Sequence, residues 1–328
     1  MLIYIARRLA LAASVVLVTL VATFTLFYAG PADPAQSLCG ELRCDQAKLA
    51  EIRKSLHLDR PLAVQFSEYF AGLVVGRDVI DGGTTKRCTA PCLGYSFRSH
   101  RDVKTEVFSR FPTTAALALM SMVVFLSIGI TTGVYAARRR GTKTDRTVVG
   151  VSQVVGAIPF YIVALLFALY LTRLNSILPR AAAFSDGIGP WLVGMIAPAI
   201  ILGLVYATTY VRYTRAQMVD TLSQDYVRTA RSKGISTTTV TYKHALRGAL
   251  SPVLTILGLD MAGLLSGTLI TESIFELDGM GRLAIVSLGQ DDLPIIMGTV
   301  LMSAVIVVLM NLLVDVLYSA IDPRVRLA

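Results

Sequence analysis

Ten residues stand out for their chemistry: Asp225-Tyr-Val-Arg-Thr-Ala-Arg-Ser-Lys-Gly234, a polar, basic stretch between two long apolar runs. It offers one carboxylate (Asp225), three cations (Arg228, Arg231, Lys233) and a phenol (Tyr226), with no pairing of a nucleophile and a base. Such a segment suits being gripped by a partner better than bond-breaking. Asp260 is a lone carboxylate inside an apolar run. At the centre of a membrane helix it costs roughly 2.5–3.5 kcal/mol, so it must face a protein interior or a water-filled path. It can meet an amino group of a solute on such a path, or an internal partner such as Tyr206, Tyr210 or a threonine hydroxyl. Both readings stand at this point.

Cys39, Cys44, Cys88 and Cys92 all lie in one segment, 30–110. Their spacings allow two disulfides or a zinc site. The segment's place on the oxidising side of a membrane, argued below, favours disulfides, with Cys39–Cys44 and Cys88–Cys92 as the local pairing. The three histidines, His57, His100 and His244, are scattered. There is no Gly-Lys dipeptide and hence no Walker A loop, and no Gly-x-Ser-x-Gly, His-Glu-x-x-His or Cys-x-x-Cys. No catalytic, cofactor-binding or metal-binding constellation is expected on this chain.

The elements that position these groups are membrane spans. The chain has 328 residues, is 54% hydrophobic and has a mean hydropathy of +0.62. A bilayer core needs about 20 apolar helical residues. Six runs meet that length. Runs 9–29, 113–137, 147–172 and 187–211 carry no charge; 249–271 carries only Asp260 and 293–317 only Asp315. Asp315 and Glu272 sit near the ends of their runs, where water is expected. Arg7 and Arg8 precede the first run as in a signal peptide, but the run is long and ends without a small-x-small cleavage site, so a retained anchor is expected.

The net charge of +9 follows the membrane and is not a nucleic-acid signature. Pieces 1–8, 138–146, 212–248 and 318–328 carry 16 Lys/Arg against 4 Asp/Glu, whereas 173–190 and 272–292 carry 3 against 6. The positive-inside rule then puts both termini in the cytoplasm, with Arg138-Arg139-Arg140 as the strongest mark. Segment 30–110 falls outside. In it, Asp45 can cap one amphipathic helix and Pro61 can open another, with Leu62, Phe66, Tyr69, Phe70 and Leu73 on one face. Residues 77–92 are rich in turn formers and read as a surface loop. Loop 212–248 is the longest cytoplasmic piece. Ser223 or Asp225 can cap a helix running to Lys233, Gly234 suits the left-handed position past its end, and Tyr226, Val227 and Ala230 form a small apolar face that needs a groove. The expected organisation is 1–30 (N-terminus and first span), 31–110 (extracytoplasmic segment) and 111–328 (core with spans two to six).

Loop 212–248 also carries a resemblance. Arg228-Thr-Ala-x-x-x-Gly234 followed by His244-Ala-Leu-Arg247 is similar to the coupling loop of ABC importer membrane subunits. Further matches are Arg7-Arg8-Leu9, Pro31-Ala-Asp-Pro-Ala35, Leu58-Asp-Arg-Pro-Leu62 with Gln65, Arg110-Phe-Pro-Thr113, Glu272-Ser-Ile-Phe275, Gly279-Met-Gly-Arg282 and Asp322-Pro-Arg-Val325. In order and spacing they resemble the B-type permeases of the dipeptide/oligopeptide (peptide/nickel) group over essentially the whole chain. Gly76-Arg77-Asp78 and Leu93-Gly-x-Ser96 resemble two halves of a stretch that is continuous in that group, parted here by the cysteine-bearing insert.

The resemblance implies an all-α integral membrane protein of six spans, with the ABC type I importer permease fold, in a prokaryotic inner membrane. It implies an ATP-driven importer of di- or oligopeptides. The implied partners are a second homologous permease, two ATP-binding subunits that carry the ATP and Mg, and an extracytoplasmic substrate-binding protein. Asp225, Tyr226, Val227, Arg228, Ala230, Arg231, Lys233 and Gly234 would dock an ATPase subunit. Nickel chelates and glutathione are alternative cargoes within the group. The rival of another class is a gradient-driven secondary transporter, which would show inverted repeats and broken midplane helices.

Overall fold

A computed structural model describes residues 2–28, 35, 45–55, 58–81, 84–174, 179 and 182–321. In chain order the helices are α1 (Leu2–Tyr28), α2 (Gln46–Ser55), α3 (Leu62–Val75), α4 (Val103–Arg138), α5 (Lys143–Ala157), α6 (Phe160–Phe167, continued as π-helix over Ala168–Leu174), α7 (Ile188–Leu222), α8 (Asp225–Ser232), α9 (Thr237–Leu265, with π-helix over Val240–Ala245), α10 (Leu269–Ile274), α11 (Met280–Gly289) and α12 (Leu293–Ile321). Among the described residues four short strands, β1 (Arg77–Asp81), β2 (Thr84–Cys88), β3 (Tyr95–Ser96) and β4 (Arg101–Asp102), form two antiparallel pairs.

Among the described residues, α1, α4, α7, α9 and α12 are long and apolar enough to cross a membrane, and α5 with α6 makes a sixth span bent by 82°. The bend has a local cause. Pro159 lacks an N–H and disfavours helix at the residue before it, and Ile158 is extended (φ −74°, ψ 128°). The expected span 147–172 is therefore a broken one. Span 249–271 is corrected too: α9 stops at Leu265, Gly267 takes φ +126°, and α10 restarts at Leu269. Much of 212–248 is helix, because α7 runs on to Leu222 and α9 begins at Thr237. Helical periodicity does not stop at the membrane surface; α7 has 35 residues, against about 20 needed to span.

The chain forms two compact units. One comprises Met1–Thr114, Leu265–Ser273 and Asp278–Val308; the other comprises Ala115–Leu264, Ile274–Leu277 and Leu309–Ala328. In the first, α3 lies against α1 through Phe24, whose ring centroid is 5.3 Å from that of Phe66 and 5.9 Å from that of Tyr69. Tyr69, Gln65 and Gly72 form its buried face, while Leu62 and Phe70 stay exposed.

The cysteine-bearing insert is a β-hairpin, not a loop. β1 and β2 pair in register from Arg77↔Cys88 to Asp81↔Thr84, and Cys88 is disulfide-bonded to Cys92. Pairing Arg77 with Cys88 returns the chain to where it left, so Cys92 N donates to Gly72 O at 3.3 Å. The insert thus projects as a hairpin and rejoins the two halves of the interrupted stretch. Its signal was hidden because charged residues occupy half of the strand positions. Cys39 and Cys44 lie outside the described residues.

The hairpin tip is held by Asp81. One carboxylate oxygen accepts from Tyr95 Oη (2.8 Å), His100 Nδ1 (2.9 Å) and Lys86 Nζ (3.0 Å). Burial alone would raise its pKa, but these hydrogen bonds outweigh that and hold it at about 2, below the usual 3.8. A depressed carboxylate contributes stability that is present above its unfolded pKa and lost as pH falls through the folded one. The hairpin amides should therefore keep their hydrogen-exchange protection down to about pH 4 and lose it between about pH 4 and 2, and Asp81→Asn should remove that pH dependence. A profile that stayed acid-labile in Asp81→Asn would refute the assignment.

In the second unit α4 and α7 cross closely at small residues. A Cβ on Gly129 would lie 2.4 Å from Tyr210 Cβ, and one on Gly133 2.7 Å from Thr214 Cβ. Asp145 at the start of α5 accepts from Arg215 Nε (2.6 Å), Arg215 Nη2 (2.7 Å) and Gly141 N (2.9 Å), fixing the α4–α5 turn to α7.

Candidate functional site

Helix α8 occupies the expected position, and its stop signal is local. Lys233 ends the helix, Gly234 takes φ +77°, Gly234 N donates to Arg231 O (2.9 Å) and Ile235 N to Ala230 O (3.3 Å). This is a Schellman closure, which needs a left-handed residue that glycine adopts without a Cβ penalty. The expected start is corrected. Gln224 is the N-cap and supplies no side-chain bond; Ser223 Oγ instead donates to Asp220 O at 2.7 Å. Asp225 sits in the first turn, where its charge favours the helix dipole, 3.7 Å from Arg228.

The apolar face of α8 does not await a groove on another chain, because this chain builds one. Val227 (0% exposed) and Ala230 (9%) pack with Val134 and Ala137 of α4, Met218 of α7 and Val240, Ala245 and Ala249 of α9. Full burial of a valine is worth about 2 kcal/mol, enough to seat a helix too short to persist in water. Tyr226 is half exposed and reaches over α9 at Gly248. Asp225, Arg228, Thr229, Arg231, Ser232, Lys233 and Gly234 face outward. The outward face is polar and basic, and the inward face fixes its pose.

A second constellation lies in the other unit, around Glu272. Expected near water, it is fully buried. Its Oε1 accepts from Thr114 Oγ1 (2.9 Å), Thr268 Oγ1 (3.1 Å) and Thr268 N (3.3 Å), and its Oε2 accepts from Arg282 N (3.0 Å). Thr114 Oγ1 in turn accepts from Met280 N at 2.9 Å. Met280 and Arg282 open α11, so the carboxylate and the threonine take up two of the N–H groups that a helix start leaves unpaired, and the negative charge faces the positive end of the dipole. Arg110, one turn before Thr114, donates from Nε to Asp278 Oδ1 (2.9 Å) and is ion-paired with Glu106. Three of the stretches that carry the resemblance, 110–113, 272–275 and 279–282, thus supply or adjoin one buried network.

The family profile for the inner membrane component of binding-protein-dependent transport systems matches residues 129–327. The chain belongs to that family. A profile for the N-terminal part of such components matches 1–118. The permease is 35% identical to the di/tripeptide transport system permease protein DppB of Pseudomonas aeruginosa (strain UCBPP-PA14) and 32% identical to the dipeptide transport system permease protein DppB of Escherichia coli (strain K12). It is 37% identical to the glutathione transport system permease protein GsiC of Salmonella choleraesuis (strain SC-B67). Each alignment covers 99% of both chains. Among solved structures, a chain of the inward-facing MetNI methionine ABC transporter matches with a TM-score of 0.54 at 18% identity, over 67% of the permease and 97% of that chain. The fold is the type I ABC importer permease fold, and the permease is a multi-pass inner-membrane subunit of such an importer.

Within the permease, Asp260 on α9 has an internal partner: Tyr210 Oη donates to its Oδ2 at 2.8 Å. Phe125 packs on Tyr210 and Tyr206 with centroids 4.6 and 5.6 Å away. The side chain of Asp315 lies outside the described residues. The Glu272 network was missed from sequence. The available signal was an acid one turn after Thr268 and shortly before a Gly-x-Gly, an arrangement that leaves room for a carboxylate beside backbone.

Proposed function

We propose that the permease forms half of the translocation path of an ATP-driven importer of di- or oligopeptides. The observation that carries this reading is the end-to-end similarity to proteins named as di/tripeptide, dipeptide and glutathione permeases. Glutathione is itself a tripeptide, so the three cargoes share an amide chain with free amino and carboxylate groups. A second homologous permease completes the path, and a substrate-binding protein delivers the peptide at the outer face. Two ATP-binding subunits or domains, which hold the ATP and Mg, drive the cycle. Both termini face the cytoplasm, in keeping with the excess of Lys/Arg in 1–8, 138–146, 212–248 and 318–328. Asp260 lines the path, with Tyr210 as the hydroxyl that holds its carboxylate until a peptide amino group competes.

Proteoliposomes holding the full complex should take up a labelled dipeptide only with external binding protein and enclosed ATP. Uptake that persisted without ATP under an ion gradient would overturn the mechanism. Uptake of a nickel chelate but of no peptide would overturn the cargo.

The outward face of α8 docks an ATPase subunit, with Arg228, Arg231 and Lys233 meeting acidic groups. Reversing charge at an interface creates repulsion worth several kcal/mol. Arg228→Glu with Lys233→Glu should therefore reduce co-purifying ATPase by at least about tenfold while the permease keeps its thermal stability. Undiminished co-purification would place the docking surface elsewhere.

A further inference from the structure

A cavity of about 390 Å³ lies where the ends of α4 and α7 meet α8 and the start of α9. Three arginines line it: Arg138 and Arg140 just past the end of the α4 apolar run, and Arg231 on α8. Arg139, between the first two, turns away and covers the Tyr135 ring at 4.5 Å. Among the described residues none of the three forms an ion pair with a carboxylate. Arg138 lies over the Tyr242 ring at 5.9 Å. Arg140 acts through space on Asp145, but that carboxylate is already held in a two-pronged pair by Arg215 and by the Gly141 amide. Three like charges around one small space repel one another and are relieved by an anion.

The rest of the wall fits an anion as well. Thr237 lines the cavity and is the first residue of α9, a helix of 29 residues whose N-terminus carries partial positive charge. Ser236 caps that terminus by accepting from Thr239 N at 3.3 Å. Among the described residues the Thr237 hydroxyl has no partner and is available to donate. Ser223 and Thr241, also in the wall, already donate to the backbone carbonyls of Asp220 and Thr237. Guanidinium forks and a hydroxyl at a helix start match the tetrahedral oxygens of a phosphate, and guanidinium pairs with phosphate bidentately. The apolar run 113–137 ends one residue before Arg138, which puts the cavity at headgroup depth, where basic pockets between spans hold anionic lipid headgroups.

We propose that this cavity binds a phosphate-bearing anion, either the headgroup of a membrane phospholipid or a free phosphate. Because Arg231 belongs to α8 while Arg138 ends α4 and Arg140 follows it, the bound phosphate ties the two helices together. It braces the docking helix and makes the pose of α8 responsive to the ligand. The binding site stands without the docking role; only its influence on ATP hydrolysis rests on the proposed contact of α8 with an ATPase subunit.

The test uses the intact importer complex, stripped of phospholipid in maltoside detergent. Radiolabelled phosphatidylglycerol and inorganic phosphate are the probes, and a galactolipid is the control. The wild type should retain a phosphate probe and ignore the galactolipid. Arg138→Gln with Arg140→Gln should weaken binding at least tenfold while the complex elutes intact. Retention of phosphatidylglycerol with no competition from inorganic phosphate assigns the site to lipid; effective competition by inorganic phosphate assigns it to a soluble anion. Should the double variant fail to assemble, Thr237→Val, which changes no charge, should weaken binding about threefold, the loss of one modest hydrogen bond. Absence of binding by the wild type, or unchanged binding in an assembled variant, overturns the proposal.

Discussion

Glu272→Ala should lower the melting temperature of the purified permease in detergent by about 10 °C or prevent its accumulation. The residue is fully buried, and its carboxylate accepts from four donors contributed by Thr114, Thr268 and Arg282. Removing it strands backbone N–H groups and hydroxyls where water cannot reach, and each costs about 1–3 kcal/mol. Breaking such a buried charged network costs about 3–5 kcal/mol, and for a chain of this size 1 kcal/mol is worth about 2–4 °C. Glu272→Gln should fall between, because the amide keeps one acceptor but turns an NH₂ group or a neutral oxygen toward donors that now face a charge. Gly279→Ala should approach the alanine variant by another route: its Cβ would lie 2.3 Å from Glu272 Oε2 and 2.8 Å from Thr114 Oγ1. Thermal denaturation followed by size-exclusion chromatography reads all three. A Glu272→Ala permease melting within about 2 °C of wild type would show that the network carries no stability.

Why Glu272 escaped a sequence reading while Gly234 did not is a matter of range. The Schellman closure at Gly234 involves only Ala230 to Ile235, so glycine after a helical stretch announces it. The Glu272 network joins residues 158 and 166 positions apart, Thr114 to Glu272 and Thr114 to Met280. Hydropathy places an acid at the end of an apolar run near water and has no means to bring α4 to it. The spans were legible because hydropathy and length are local, whereas the 82° bend at Ile158-Pro159 leaves the apolar run unbroken and so carries no hydropathy signal. The insert at 77–92 hid its strands because Asp78, Lys86 and Arg87 interrupt any apolar alternation. Its register is set by Arg77 meeting Cys88, a pairing that makes sense only once the flanking halves are known to touch. Asp260 shows a partial success: Tyr210 was among its expected partners, since a hydroxyl is a donor that can hold a carboxylate inside an apolar run.

Helix α8 yields the sharpest separation of roles, because its amphipathic pattern announces an apolar face but not whose groove receives it. Val227→Asp should abolish both ATPase retention and uptake, and should also destabilise the permease. Val227 is fully buried among Met218, Val240 and Ala245, and a carboxylate there must either shed its hydration at a cost of several kcal/mol or push α8 out of its seat. Val227→Ile adds one methylene to a packed site and should cost about 1–3 kcal/mol at most, leaving coupling intact. Arg228→Glu, one residue away and exposed, should lose ATPase retention with no change in melting temperature. The contrast turns on the helix itself: neighbours in sequence point about 100° apart, so Val227 points into the seat of α8 while Arg228 is exposed on its outer face. Equal melting temperatures for Val227→Asp and wild type, with ATPase still bound, would mean that α8 is not anchored through Val227, and the division between its inner and outer faces would fail.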